Sequence, residues 1–154
     1  MKKEVVYQVT FDPYEIGKKD DEAKKIYLDD KYIALSVGGE IYYGEDFKST
    51  LLIDVHYDSD TKKTLTKQIP QLESFGNIVA INPEFKDKKM ISKLRELDIL
   101  SDTIEKVNYE NKDYELVKVN LEELSKYKPF GDTILKDYMY MEKHRENIKG
   151  KEIE

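Results

Sequence analysis

The chain has 154 residues, 39% apolar and 38% charged, with 32 acidic side chains, 26 Lys or Arg, two His and a formal net charge of −6. That length suits one domain burying roughly 70% of its unfolded surface. The absence of Cys excludes disulfides and thiolate chemistry and fits a reducing compartment. No stretch approaches the roughly 18 consecutive apolar residues of a membrane span, and MKKEVVYQVTF lacks a signal-peptide apolar core, so the expectation is a soluble cytoplasmic protein. Residues 1–60 hold 14 acids against 8 lysines, whereas residues 61–154 hold 18 of each sign. The whole acidic excess therefore belongs to the N-terminal part, a composition that attracts basic partners and repels phosphate.

In chain order, Val5, Tyr7, Val9 and Phe11 alternate and predict a half-buried strand. Asp12-Pro13 breaks it with a cap and a first-turn proline. YEIGKKDDEAKK reads as a loop with at most a short helical turn. KIYLDDKYIALSV predicts a hairpin with Asp29-Asp30 near its turn and its second strand closed by Gly38-Gly39. Ile41, Tyr42 and Tyr43 begin another short strand. In the next strand Leu51, Ile53, Val55 and Tyr57 point one way, and Leu52, Asp54, His56 and Asp58 the other. A turn at Asp58, Ser59 and Asp60 leads into TLTKQI, a further strand ended by Pro70, and GNIVAI predicts a short strand central in a sheet.

Asn82-Pro83 predicts a helix start. Met90, Ile91, Leu94 and Leu97 keep helical spacing, giving an amphipathic helix over about 84–98. Ile104–Val107 and Tyr114–Val119 form a hairpin around ENKD. Asn120 caps NLEEL, with Glu123 completing a capping-box pattern and Leu121, Leu124 and Tyr127 in one stripe. Ile134, Leu135, Tyr138 and Met141 share the face of a helix over 132–146, and KHRENIKGKEIE is a charged tail. Strands and helices without βαβ alternation predict an α+β fold, an antiparallel sheet packed against two or three helices. Residues 1–130 form the α+β domain with its acidic N-terminal half; 131–154 add a C-terminal helix and tail.

Asp54, His56 and Asp58 share one strand face about 7 Å apart. Imidazole and carboxylate both ligate zinc, so this trio is the alternative reading, a metal-dependent hydrolase or nuclease. A third converging ligand is not evident, His144 falls in the tail, and HExxH, CxxC, P-loop and nucleophile-elbow spacings are all missing. The trio therefore reads as the wet face of a strand, with no metal, no cofactor and no catalytic residue assigned. Lys86, Lys88, Lys89, Lys93 and Arg95 on the 84–98 helix are interleaved with Glu84, Asp87, Glu96 and Asp98. This is the pattern of a solubilising face, and the overall charge opposes direct nucleic-acid contact. A nucleic-acid or interaction module using that helix is a second alternative. Tyr42 and Tyr43 beside Glu40, Glu45 and Asp46 match an interface pattern, aromatic anchors with a polar rim.

From about residue 31 to 128 the order KYIALSVGGEIYYG, STLLIDVHY, QIPQL, NIVAINPEF, KKMISKLRELDIL, YELVKVNLEEL resembles a small domain family of Gram-positive mobile elements. Its distinctive piece is Asn120 before Leu121 and Leu124. That family supplies no catalytic residues. The chain departs from it in an extra N-terminal strand, an extra C-terminal helix and the lack of an asparagine-rich turn. In size, acidity and cysteine poverty the chain also resembles phage- and plasmid-borne anti-CRISPR proteins that inhibit Cas9. That resemblance implies a non-enzymatic inhibitor that binds a basic protein surface of a CRISPR nuclease and blocks DNA binding or cleavage. The candidate contacts are Asp20, Asp21, Glu22, Tyr42, Tyr43, Glu45, Asp46, Asp58 and Asp60.

Overall fold

The structure, a computed structural model, describes residues 12–42, 48–67, 69 and 77–140; of 40–42 and 48–50 it describes the backbone alone. The strand expected over Val5–Phe11, the residues Tyr43, Glu45, Asp46, Pro70 and Met141, and the tail lie outside them. The fold is α+β, with two antiparallel four-stranded sheets rather than one.

Helix α1 (Pro13–Lys19) starts where Asp12 turns its carboxylate onto the N–H groups of Tyr14 and Glu15 and proline fills the first turn. It is two turns long, more than the short helical turn expected of this stretch. Gly17 lets it lie flat on the sheet, because a Cβ there would collide with the Tyr32 hydroxyl beside Ala34. Strands β1 (Ile26–Leu28) and β2 (Lys31–Tyr42) form the expected hairpin. Asp29 and Asp30 adopt φ of 49° and 63°, the left-handed pair that a two-residue primed turn demands. Gly38 and Gly39 do not close β2. They lie mid-strand opposite Leu52 and Leu51, and pairing continues to Tyr42 opposite Lys48. A Cβ at Gly38 would meet nothing within 4 Å, so the glycine marks open space rather than a turn. Ile41 and Tyr42 accordingly extend β2 instead of opening a new strand.

Strand β3 (Lys48–His56) buries Leu51, Ile53 and Val55. After the Asp58–Asp60 turn, TLTKQI splits into β4 (Lys62–Thr64), paired with β3, and β5 (Thr66–Lys67), paired with β6 (Ile78–Ile81). Leu65 is the switch. Its N–H donates to the Ile53 carbonyl at 2.9 Å, and its carbonyl accepts from the Asn82 N–H at 2.8 Å. Thr66 completes the corner: its buried hydroxyl accepts from the Ile53 N–H at 3.0 Å and donates to the Leu51 carbonyl at 3.5 Å. A strand that changes sheets this way makes a corner between two packed layers.

Helix α2 (Lys88–Glu96) starts at Asp87, not at Asn82 as the sequence predicts. Asp87 wins because its two oxygens serve two purposes: Oδ1 caps the Met90 N–H at 3.1 Å and Oδ2 accepts the Tyr57 hydroxyl at 2.7 Å. Asn82 makes a local turn, accepting from the Glu84 N–H. The helix ends on Asp98 at φ 61°, with the Ile99 N–H reaching the Leu94 carbonyl and the Asp98 N–H that of Arg95. That is a Schellman closure without glycine. Strands β7 (Glu105–Tyr109) and β8 (Lys112–Lys118) turn at Glu110-Asn111, also both left-handed. Strand β6 lies between β5 and β8, the central position expected for a wholly apolar strand.

Asn120 caps α3 (Leu121–Ser125) through the Glu123 N–H at 3.1 Å. The reciprocal arm of the capping box is not made: the Asn120 N–H goes to the Ile99 carbonyl, and Glu123 pairs with Lys126 and Lys24. Residues 133–140 are helical (α4). One core joins the layers: Ile33, Leu35 and Val37 of β2, Ile53 and Val55 of β3, Val79 and Ile81 of β6, Val117 and Val119, Met90 and Leu94 of α2, Leu121 and Leu124, and Leu135 and Tyr138 of α4. A second cluster of Ile69, Ala80, Tyr114 and Leu116 covers the other face of the β6–β8 sheet, so β8 is buried on both sides at Leu116 and Val117.

Candidate binding surface

His56, the last residue of β3, lies on the face opposite the core, as alternation requires, but it is not wet. It is 7% exposed. Ala34, its cross-strand neighbour, is 4% exposed, since α1 packs over this part of the sheet. The His56 Nε2 lies 2.7 Å from the Ser36 hydroxyl on the same face of β2. Burial pushes the imidazole below its ordinary 6.5, with Lys62 acting in the same sense and Asp54 and Asp12 opposing it. A serine hydroxyl bonded to an imidazole is the spacing of a nucleophile and its base, here enclosed beneath a helix.

The flanking aspartates are committed elsewhere. Asp54 lies 3.8 Å from Lys62 across the β3–β4 pair, and exposed Asp58 accepts the Asp60 N–H at 2.8 Å within the turn. That bond holds the Asp58 carboxyl below its usual range. Among the described residues no three His, Asp or Glu side chains converge as metal ligands. Ser59 joins this turn to α1 by hydrogen-bonding Asp12, whose carboxyl is lowered as a result.

Of the nine sequence-derived contacts, Tyr43, Glu45 and Asp46 lie outside the described residues, and the others do not form one patch. Asp58 and Asp60 adjoin the start of α1, whereas Asp20, Asp21 and Glu22 follow its end, about 10 Å along its axis. The backbone of Tyr42 lies at the far end of β2, about 30 Å of extended strand from Tyr32.

A different aromatic group lies near Asp20, whose charge acts on Tyr32. The primed turn sets Tyr27 directly opposite Tyr32, their rings 6.1 Å apart, and Tyr14 of α1 packs on Tyr32 at 5.2 Å. Burial pushes the Tyr32 hydroxyl up to about 12, with Tyr14 adding to it. Next to this row, Ile16, Tyr32, Tyr127 and Phe130 line a crevice between α1 and the segment after α3. The crevice holds its shape because that segment bonds to the edge of β2: the Val37 N–H donates to the Phe130 carbonyl at 2.8 Å and the Phe130 N–H to the Leu35 carbonyl at 3.2 Å. Tyr27 is 52% exposed, Ile16 47% and Phe130 38%. Round them lies a rim of mixed sign. Lys18 stands over Tyr14 and Lys25 over Tyr32, both at 5.8 Å, Lys24 stands over Tyr127 at 6.0 Å, and Glu22 pairs with Lys128 at 3.1 Å. Exposed apolar anchors inside a charged rim are the anatomy of a protein interface. The Tyr27–Tyr32 pair was within reach of the sequence, because a two-residue turn fixes register. Tyr14, Ile16 and Phe130 were not, since only the packing of α1 and the segment after α3 brings them together.

Compared with family models, curated proteins and solved structures, the chain matches none. Among the described residues no helix is long and apolar enough to cross a membrane.

Proposed function

We propose that this chain is a protein-binding inhibitor with no chemistry of its own, its target a basic surface on a CRISPR nuclease of the Cas9 type. The observation that carries the binding reading is the exposed pair Ile16 and Phe130 on one crevice between α1 and the segment after α3, with exposed Tyr27 joined to it through the Tyr32 ring. Monomers scatter single exposed apolar residues, and a contiguous rimmed group marks an interaction site. Asp20, Asp21 and Glu22 at its rim supply contacts for Lys or Arg on the partner and favour correct encounter. The choice of target rests on the acidic, cysteine-free composition and on the resemblance to inhibitors carried by mobile elements.

A cleavage assay with purified Cas9 homologues tests this. The chain should co-purify with one of them and suppress cleavage at stoichiometric concentration. Ile16→Asp, a change on an exposed helical position, should weaken that suppression tenfold or more with an unchanged melting curve. Absence of binding to every homologue tried would remove the nuclease target, and full potency in Ile16→Asp would remove the crevice as the contact.

A further inference from the structure

A groove of about 470 Å³ runs between the tip of the β1–β2 hairpin and the outer face of α2, separate from the Ile16–Phe130 crevice. One wall is Tyr27 and Asp29. The other is Lys88, Lys89, Ser92, Lys93 and Glu96, which α2 presents together because residues three, four and eight apart share a helical face. The apolar side of the same helix, Met90 and Leu94, is locked in the core, so the lysine face is fixed in orientation.

The chemistry of this groove is that of a strand of phosphodiesters with unstacked bases. Tyr27 offers an exposed ring, steadied at its edge by Tyr32, and a base stacks on such a ring whatever its sequence. Lys88, Lys89 and Lys93 line the same groove and supply three positive charges for phosphates. Two carboxylates share the site, and neither neutralises it firmly. The Asp29–Lys89 pair is 3.8 Å apart with both side chains more than three-quarters exposed; such pairs are weak and readily exchanged. Among the described residues Glu96 pairs with Lys93 alone, at 3.6 Å. Among the described residues Lys88 makes no ion pair. The acidity of the whole chain disfavours non-specific duplex binding, and a groove with one aromatic platform and three lysines is the local exception. It is open along its length, which suits a chain passing through and not an enclosed mononucleotide.

We infer that this groove binds single-stranded nucleic acid, one base on Tyr27 and the adjoining phosphates on Lys88, Lys89 and Lys93. It shares Tyr27 with the protein-binding reading but not Lys88, Lys89 and Lys93, so the lysine variants separate the two.

Fluorescence anisotropy with a labelled dT12 oligonucleotide and the whole chain tests it. Saturable binding is expected at 50 mM salt. Three phosphate contacts make it weaken about 20-fold by 200 mM, given a log–log slope near −0.7 per contact. Lys88→Ala/Lys89→Ala and Tyr27→Ala should each weaken it about tenfold, Tyr27→Phe should retain it, and Lys112→Ala on the distant β7–β8 turn should change nothing. Asp29→Asn keeps a residue that favours the left-handed turn and removes a competing carboxylate, so it should tighten binding about threefold. The inference is overturned by absence of saturable binding at 50 mM salt, by affinity indifferent to the lysine and Tyr27→Ala changes, by no gain in Asp29→Asn, or by AMP competing as well as the oligonucleotide does. Circular dichroism of each variant identifies any that fail to fold, and the remaining variants then decide.

Discussion

His56 shows how one covered side chain ties stability to pH. Its folded-state pKa lies below the ordinary 6.5 because burial penalises the imidazolium. The unfolded chain therefore binds this proton more readily than the folded one, and stability rises with pH between the two values. The contribution is complete above about pH 6.5 and is lost as pH falls below it towards the depressed folded pKa. Urea unfolding at pH 7.5 and pH 5.5 should show the native chain less stable at the lower pH. His56→Gln, which keeps a hydrogen-bonding group for Ser36 but cannot titrate, should flatten that difference. The window lies above the range in which Asp12 and Asp58, both lowered, begin to protonate. Alternation in the sequence named the correct face for His56 and the wrong environment. The face is dry because α1 lies across it, and the residues of α1 are polar enough to read as loop. Without that helix, nothing in DVHYDSD distinguishes a solvated imidazole from a covered one.

At the scale of elements, both hairpins were legible, but only the first in its turn. Asp29-Asp30 is a pair that tolerates left-handed φ, whereas the second hairpin, expected around ENKD, turns tightly at Glu110-Asn111, and a Glu at positive φ carries no turn signal. Helix α2 was legible in its apolar face and not in its start, because Asn82 and Asp87 are both competent caps, and the deciding Tyr57 hydroxyl arrives from 30 residues away. The Leu65 corner was illegible, since a strand that changes partners keeps the same alternation as one that does not. Its energetic weight falls on Thr66, which is 2% exposed. Thr66→Val preserves the shape and leaves the buried Ile53 N–H without its acceptor, so it should cost about 1–3 kcal/mol, whereas Thr66→Ser should lose less. Chemical denaturation of the two variants separates these outcomes. Gly131 has φ of 86°, and a Cβ there would clash with the Val37 carbonyl oxygen. Gly131→Ala should therefore detach the segment that walls the crevice, read as a lower melting temperature together with lost partner binding.

For the whole molecule, charge per segment is a poor guide to charge per face. The first 60 residues carry the entire formal excess, but the fold returns lysines from beyond residue 60 to them. Lys128 meets Glu22 at 3.1 Å, Lys89 faces Asp29 at 3.8 Å and Lys62 faces Asp54 at 3.8 Å. Exposed pairs of this kind are screened by salt and contribute little each. Association with a protein partner should consequently slow by less than tenfold between 0.05 and 0.5 M salt in stopped-flow measurements, while Ile16→Asp mainly raises the dissociation rate. A tenfold or larger slowing would make long-range steering, and not the apolar anchors, the leading contribution. The route of the chain through Leu65 has a mechanical corollary. A nick at Glu110-Asn111 severs only the tip of one hairpin, and the fragments should stay associated through the β7–β8 ladder. A nick at Leu65 cuts a strand where it passes from one layer to the other, leaving the halves held by the shared core and the Phe130–β2 bonds, and the same protein should lose far more stability.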